Sequence, residues 1–325
     1  MKKLKIYLYK YTGLLFCIFH VNVYSGDILL KDGAEHGVCL GFGTSKIFYS
    51  DVGVRAACEN VGFGRVKVTR ASAHSGKYGY EIKLSEKDVG NDFERAVHKG
   101  KLSLNNKDLS NAQKRGARIR YSAYYYIKSG FDFYLPAWSI QMQWKGILKG
   151  AKGDERYWLN QNPKIALGFQ RLDNSSPLEI IVTIREANKS DCKGFSYDRF
   201  TRKNTLNLEA IAIPENQWFK IIVEVFFSEE DGSVEVWQEK NGERDQVIKA
   251  EMINTVSQLI NKKISKEQDK GCDDKGGEGF YYTNPTHFVF GMGNYISGKA
   301  FQNTYRAGKG SHNLYLDDIL IESIE

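Results

Sequence analysis

The stretch SIQMQWKGIL, Ser139–Leu148, decides the fold prediction because polar and apolar residues alternate along it. Side chains two residues apart in a β-strand point to the same face. Ile140, Met142 and Trp144 therefore share one face, and Ser139, Gln141, Gln143 and Lys145 share the other. The pattern predicts a strand of an antiparallel sheet that packs one face on a core. The polar face is either an ordinary solvated surface, which alternation alone favours, or the lining of a groove for a hydroxylated, anionic ligand.

Similar alternation recurs along the chain, and only one short segment, Val256–Lys262, is typical of a helix. With 31 glycines, this pattern predicts an all-β fold, an antiparallel double-sheet jelly roll. We expect a single domain over residues 26–325, with loop excursions near 186–207 and 254–279. The predicted strands are Asp27–Leu30, Gly37–Phe42, Val66–Thr69, Tyr78–Leu84, Ala117–Lys128, Trp138–Ile147, Lys164–Gln170, Leu178–Arg185, Gln217–Phe227, Ser233–Gln238, His287–Met292 and Asn313–Ile324.

The first 25 residues have the pattern of a secretory signal peptide. Four lysines precede the apolar run Gly13–Val23, which is too short to span a bilayer comfortably. Small or permissive residues then lead to a cleavage position after Ser25. We therefore expect a secreted or periplasmic protein without a membrane anchor once the signal is removed.

The charge of the remaining chain is nearly balanced. Without the four lysines of the signal, 42 basic residues face 39 acidic ones, a net charge of +3. This excess is too small to indicate a nucleic-acid partner. A local stripe from Lys99 to Arg120 holds seven basic residues and the single acid Asp108. It is either a site that attracts a polyanion or a solubilising surface loop.

Four cysteines follow the signal: Cys39, Cys58, Cys192 and Cys272. An even number in an exported protein predicts two disulfides. We expect the pairs Cys39–Cys58 and Cys192–Cys272. Their spacing does not indicate a zinc site.

The order of these features resembles the concanavalin-A-like jelly-roll polysaccharide lyases of the heparin lyase I and alginate lyase kind. The matching pieces span nearly the whole chain after the signal. They are Arg70–Lys77, Glu94–Val97, the strand Ala117–Lys128, Gln141–Lys145, Trp218–Ser228 with Asp231–Trp237, and the closing Leu314–Ile319. The resemblance implies β-elimination on a uronic-acid-containing polysaccharide. That reaction needs a group that holds the uronate carboxylate, a base for the C5 proton and an acid for the departing O4.

The resemblance also implies roles for individual residues. Arg95 matches the family's strand arginine and Gln143 its groove glutamine, and both would bind the carboxylate. Where the family has a histidine, this chain has Lys145, which acts either as a base, if its pKa is lowered, or as a carboxylate ligand. Gly293 occupies the place of the family's catalytic tyrosine.

Tyrosines near that position are the alternatives for the catalytic tyrosine. Tyr295 lies two residues after Gly293, which is the same face of a regular strand, and Tyr305 is followed by Arg306, which favours a phenolate. With 19 tyrosines in the chain, a structural role for any one of them is the simpler interpretation. Further substrate-binding candidates on polar strand faces are Gln141, Arg118, Arg120 and Tyr124.

No cofactor is expected from the sequence. Asp317–Asp318 and Asp273–Asp274 could give oxygens to a calcium ion, but adjacent carboxylates are more often simply solvated. The paired-carboxylate strand pattern of glucanases with this fold is absent from the sequence.

Two functions follow from the residues. The first is a monomeric, secreted lyase of an acidic polysaccharide, with Arg95, Gln143, Lys145 and a tyrosine around one groove. The second is a glycan-binding jelly roll that kept the groove and lost the base.

Overall fold

The computed structural model describes residues 27–34, 45–49, 55–59, 66–85, 96–104, 107–128, 139–147, 163–171, 176–187, 195–206, 209, 211–261, 280–283, 285, 287–297 and 311–324. Strands dominate these residues, with two short α-helices and one 3₁₀ turn. The strands are β1 Asp27–Asp32, β2 Ser45–Tyr49, β3 Arg55–Glu59, β4 Val66–Thr69, β5 Gly79–Ser85, β6 Ala96–Leu104, β7 Arg118–Ile127, β8 Ser139–Ile147, β9 Ile165–Gln170, β10 Glu179–Ala187, β11 Phe195–Phe200, β12 Trp218–Phe226, β13 Gly232–Lys240, β14 Glu243–Ile253, β15 Gln258–Asn261, β16 Phe280–Thr283, β17 His287–Ser297 and β18 Ser311–Ile324. The helices are α1 Lys107–Ala112 and α2 Arg202–Leu206, and the 3₁₀ turn is Arg70–Ser72.

These strands form two large antiparallel sheets. Sheet 1 has the order β14-β13-β12-β7-β18-β5-β4, and β1 pairs with β18. Sheet 2 has the order β11-β10-β9-β8-β17-β6-β3-β2. Strands β15 and β16 form a separate two-stranded sheet. The all-β prediction of an antiparallel double-sheet jelly roll is confirmed.

The core lies between the two sheets, and aromatic side chains join their central strands. The ring of Tyr121 on β7 lies 5.1 Å from that of Trp144 on β8, and 4.7 Å from that of Phe290 on β17. All three side chains are buried. Because β7 is central in sheet 1 and β8 in sheet 2, this contact fixes which face of each sheet points inward.

Several segments differ from the sequence-based expectation. The basic stripe is not one surface, because it runs through β6 in sheet 2, helix α1 and the start of β7 in sheet 1. The expected excursion near 186–207 contains strand β11, which pairs with β10 along sheet 2. The helix predicted for Val256–Lys262 is wrong, since Gln258–Asn261 forms strand β15.

Some expectations fall on residues that the structure does not describe. These are the signal peptide, three of the four cysteines of the expected disulfides, and Asp273–Asp274. Within the described residues, no helix is long and apolar enough to cross a membrane.

Candidate active site

The site is built on strand β8, whose alternation the structure confirms on its apolar side. Met142 and Trp144 are fully buried in the core between the sheets. Gln141, Gln143 and Lys145 therefore belong to the face of sheet 2 that points away from sheet 1. We call it the amide face. It is not a plainly solvated surface, because Gln141 is 0% and Gln143 is 2% exposed.

Hydrogen bonds to the neighbouring strand β9 hold Gln141 in place. Its Oε1 accepts a hydrogen bond from the backbone N–H of Phe169 at 2.8 Å and lies 3.3 Å from the hydroxyl oxygen of Ser139. The same hydroxyl donates to the carbonyl oxygen of Phe169 at 2.5 Å. These contacts occupy the acceptor end of the Gln141 amide and direct its Nε2 away from β9.

A β-bulge interrupts strand β17 opposite Gln141. Met292 pairs with Met142, but the next register pair joins Tyr295 to Ile140, so Gly293 and Asn294 together oppose one residue of β8. The expectation that Tyr295 shares the face of Gly293 assumed a regular strand, and the bulge removes that assumption. The backbone register places Tyr295 opposite Ile140 rather than opposite Gln141. Its side chain lies outside the described part of the structure.

Three amide side chains meet at this bulge. Gln141 Nε2 donates to Asn294 Oδ1 at 3.4 Å, and Gln143 lies two residues along β8. A narrow cleft is lined by Ile140, Gln141, Gln143, Gly291, Met292, Gly293 and Asn294. Gln143 Oε1 and Asn294 Nδ2 are buried there without a hydrogen-bond partner. Such atoms are uncommon in folded proteins and identify the cleft as a candidate ligand site.

Two cations near Lys145 were missed by the sequence analysis. Lys164 precedes Ile165, the register partner of Trp144, and its backbone carbonyl accepts a hydrogen bond from the Arg185 N–H at 2.9 Å. Since Ile165 and Ile184 are in the core, alternation places Lys164 and Arg185 on the amide face with Lys145. Lys164 is fully buried and donates through Nζ to the Arg185 carbonyl oxygen at 2.5 Å. The alternation of polar and apolar residues in Lys164–Gln170 could have identified Lys164 as a residue of this face.

The basic and tyrosine candidates of strand β7 lie on the opposite surface of the sandwich. Tyr121 and Tyr125 face the core, so Arg118, Arg120 and Tyr124 face away from sheet 2. Arg120 pairs with Glu224, its Nε and Nη2 lying 2.8 and 2.7 Å from one carboxylate oxygen. Arg118 lies over the ring of Phe226, at 5.1 Å from its centroid. These three side chains cannot line one groove with Gln143, contrary to the expectation from sequence.

The surroundings of Tyr124 favour its protonated form. Its ring stacks on His74 at 3.6 Å between centroids. Burial, with the charges of Glu239 and Asp318, raises the pKa of Tyr124 above its ordinary value of 10.0. Its hydroxyl therefore stays protonated at neutral pH.

The remaining candidates of the groove fall outside the described residues. They are Arg95, which directly precedes β6, and Tyr305 and Arg306, which precede β18. Their roles stay predictions.

The described carboxylates that were considered as calcium ligands accept hydrogen bonds from protein groups. Asp317 accepts the backbone N–H groups of His74 and Ser75, at 2.7 and 3.0 Å. Asp318 accepts from the Ser75 hydroxyl at 2.7 Å and lies 2.9 Å from His74 Nδ1. The described residues contain no group of three or more histidine, cysteine or acidic side chains arranged to hold a metal ion.

Comparisons with known proteins give one family and a set of distant structures. A family model described as polysaccharide lyase matches residues 56–319. No curated protein matches the chain. Among solved structures, the chain is similar to an endo-β-1,4-glucuronan lyase from the fungus Trichoderma reesei, at 11% identity, with 79% of this chain and 86% of that chain covered and a TM-score of 0.48.

It is also similar to the exolytic PL7 alginate lyase AlyA5 from Zobellia galactanivorans. The identity is 10%, the coverage 91% of this chain and 99% of that chain, and the TM-score 0.45. Similarities this distant carry no conclusion about activity. The family match covers most of the chain and includes both β8 and β17. The concanavalin-A-like jelly-roll lyase recognised from the sequence is thereby confirmed, and the chain belongs to the polysaccharide lyase family.

Proposed function

We propose that this polysaccharide lyase cleaves a uronic-acid-containing acidic polysaccharide by β-elimination. The observation that carries the proposal is the pairing of an amide, Gln143, with an ammonium group, Lys145, on the amide face of the central strand β8. Both lie inside the family match. An amide donor and a cation two residues apart are suited to a sugar acid, because they offer hydrogen bonds and a positive charge together.

The chemistry explains why the substrate would be a uronate. The carboxyl group at C6 makes the C5 proton removable, because the charge that develops at C5 is shared with the carboxylate. A base takes that proton, the C5–H electrons form the C4–C5 double bond, and the bond from C4 to O4 breaks. An acid then protonates the departing oxygen. A polysaccharide without the carboxylate lacks the acidic proton.

Lys145 is our candidate for the base. It is half-buried, and Lys164 and Arg185 lie on the same face in the adjoining part of sheet 2. Partial burial and neighbouring cations both favour a neutral amine over an ammonium ion, and only the amine accepts a proton. The family resemblance assigns the catalytic tyrosine to Tyr295 or Tyr305 and the carboxylate to Arg95, with Arg306 beside Tyr305.

Export belongs to the same proposal. The lysine-rich start and short apolar run of residues 1–25 support a cleaved signal peptide. We infer a secreted or periplasmic monomer with two disulfides, acting on polysaccharide outside the cytoplasm.

The test is an assay on a panel of polymers. Purified protein is incubated with alginate, heparin, hyaluronan and glucuronan, and the absorbance of the unsaturated uronate is followed. We expect a rise on at least one polymer and none on its carboxyl-reduced form. Absence of any rise, with measurable binding, would instead support the second function.

That second function is a glycan-binding protein without catalysis. Gly293 in place of the family's tyrosine and Lys145 in place of its histidine favour it. Affinity electrophoresis in gels containing the same polymers distinguishes the two, since only the binding protein would be retarded without forming product.

A further inference from the structure

The bulge in β17 gives Asn294 a defined place in the cleft. Gly293 has a φ of 135°, a conformation that residues with a Cβ rarely adopt. The extra residue brings the side chain of Asn294 to the amide face, where it contacts Gln141. Asn294 itself is 0% exposed.

The hydrogen-bond chain determines which way the Asn294 amide is turned. The Phe169 N–H is a donor, so the end of Gln141 that contacts it must be the oxygen. Gln141 Nε2 is then a donor and requires an acceptor, which is Asn294 Oδ1. The Nδ2 group of Asn294 therefore points elsewhere, and it is buried without a partner.

Gln143 supplies the complementary atom. Its Oε1 is an acceptor, buried without a partner, and it lines the same cleft. Gln143 pairs across the strands with Gly291, which has no side chain. Gln143 and Asn294 occupy diagonal positions, which in neighbouring strands are about 7–8 Å apart. Two amides at that separation can reach one oxygen atom between them.

One unused donor and one unused acceptor match a hydroxyl group. A hydroxyl donates one hydrogen bond and accepts others, whereas a carboxylate only accepts. Leaving two such polar atoms buried without partners is unfavourable, and a bound hydroxyl would satisfy both. The cleft is too narrow for a water molecule as it stands, so a sugar hydroxyl enters only when the side chains that line it move apart.

We propose that Asn294 Nδ2 and Gln143 Oε1 together bind one hydroxyl of the sugar, and that Asn294 is a substrate-binding residue. The inference rests on the proposed function for its choice of sugar. It adds to the carboxylate role proposed for the amide donor of Gln143, because the hydroxyl would use the acceptor Oε1 of the same amide. Because both side chains are covered, binding requires the cleft to open.

The test compares binding of glucuronan oligosaccharides and cello-oligosaccharides. The two share every ring hydroxyl of the β-1,4-linked glucose skeleton and differ in the carboxylate at C6. Affinities of wild type and Asn294→Ala are measured by titration calorimetry. We expect about tenfold to hundredfold weaker binding of both ligands, by the same factor, since an unpaired polar group costs about 1–3 kcal/mol.

Two results would overturn the proposal. A loss confined to the glucuronan oligosaccharide would show that Asn294 holds the carboxylate, and unchanged affinity for both would remove Asn294 from the site. Asn294→Ser, whose hydroxyl can still accept from Gln141, serves if the alanine variant does not fold. Asn241→Asp, in the exposed turn between β13 and β14, is the control for changes in an asparagine far from the cleft. The experiment measures binding. A wild-type protein that binds the oligosaccharides but forms no unsaturated product would therefore contradict the proposed lyase function without contradicting this inference.

Discussion

The carboxyl group of Asp317 joins the chain's closing strand to the segment after β4. It is 0% exposed and accepts backbone hydrogen bonds from His74, Ser75 and Asp318. The hydrogen bonds favour the carboxylate, but loss of hydration outweighs them. Burial raises the pKa of Asp317 from 3.8 to about 6.

Stability should therefore depend on pH through Asp317. A folded-state pKa above the unfolded value means that the native state binds the proton more tightly. The resulting stabilisation is complete below about pH 4 and is lost as the pH rises through about 6. A shift of this size corresponds to at most about 3 kcal/mol. We expect urea unfolding to show this loss in wild type but not in Asp317→Asn, which does not titrate.

Comparison of the two proteins at each pH removes the contribution of other groups. At pH 4 the asparagine variant should be less stable than wild type, by about 1–3 kcal/mol, because its NH₂ group cannot accept a hydrogen bond from a backbone N–H. This difference should shrink as the pH rises to 7. If the stability difference between the two proteins were the same at pH 4 and pH 7, Asp317 would not titrate in this range.

Lys145 offers a second test at the scale of one residue. Arginine keeps the positive charge but does not release its proton, whereas histidine restores the family's base. If Lys145 is the base, Lys145→Arg should lower kcat by about 10²-fold or more, while Lys145→His retains measurable activity. Initial rates on the best polymer of the panel measure both. Near wild-type activity in the arginine variant would leave Lys145 only as a carboxylate ligand.

At the scale of elements, β8 and β9 approach each other closely where Gly168 faces Ser139. A Cβ on Gly168 would lie 2.1 Å from the Ser139 carbonyl oxygen, a clash that only backbone movement relieves. We expect Gly168→Ala to lower the free energy of unfolding by about 3 kcal/mol. Chemical denaturation measures the effect.

The matched control is Gly242→Ala in the turn after β13. Its φ is +83°, but nothing lies within 4 Å of the added Cβ. The cost should be limited to backbone strain of about 1–2 kcal/mol. If both variants lowered the free energy of unfolding equally, the backbone at Ser139 would move away from the added Cβ at little energetic cost.

Strand identity was more predictable from sequence than strand register. The alternation in β7, β8, β12 and β13 predicted each strand to within a few residues, because one face of each packs on the core. The bulges at Gly293–Asn294 and at Asp318 could not be predicted in this way. Each bulge inserts one residue without changing the composition of the strand. Asp318 adopts a φ of 48°, which its residue type alone does not predict.

At the scale of the whole molecule, the two ends of the described chain meet in sheet 1. Strand β18 pairs with β7 on one side and with β5 and β1 on the other. Three of its apolar side chains, Leu314, Leu316 and Ile321, are fully buried in the core. The closing strand is thus a central member of its sheet.

Removal of residues 311–325 should therefore abolish folding. The truncation leaves β5 and β7 without their shared partner and opens the core between the sheets. Circular dichroism should show no cooperative thermal transition. A chain that lacks only residues 1–25 should keep its transition, in line with the proposed signal peptide. A cooperative thermal transition at the wild-type temperature in the chain that lacks residues 311–325 would contradict the role assigned to β18.

The distribution of the candidate residues between the two surfaces was beyond the reach of sequence. Strands β7 and β8 follow each other along the chain, and polar and apolar residues alternate in both. The sequence therefore suggested that their polar faces form one surface. Because the two strands belong to different sheets, their polar faces point in opposite directions. Gln143 and Arg120 are therefore separated by the thickness of the sandwich.

The extra residue at Gly293–Asn294 changes how functional roles can be carried over from other lyases. Up to Met292, every second residue of β17 lies beside Gln143. Beyond Asn294, the extra residue shifts this alternation by one position, so the same spacing identifies residues of the other set. An alignment without a gap through residues 291–296 would thus equate positions that face different ways. Assignments on the far side of that point are sounder when they start from the Ile140–Tyr295 pair than from a shared motif.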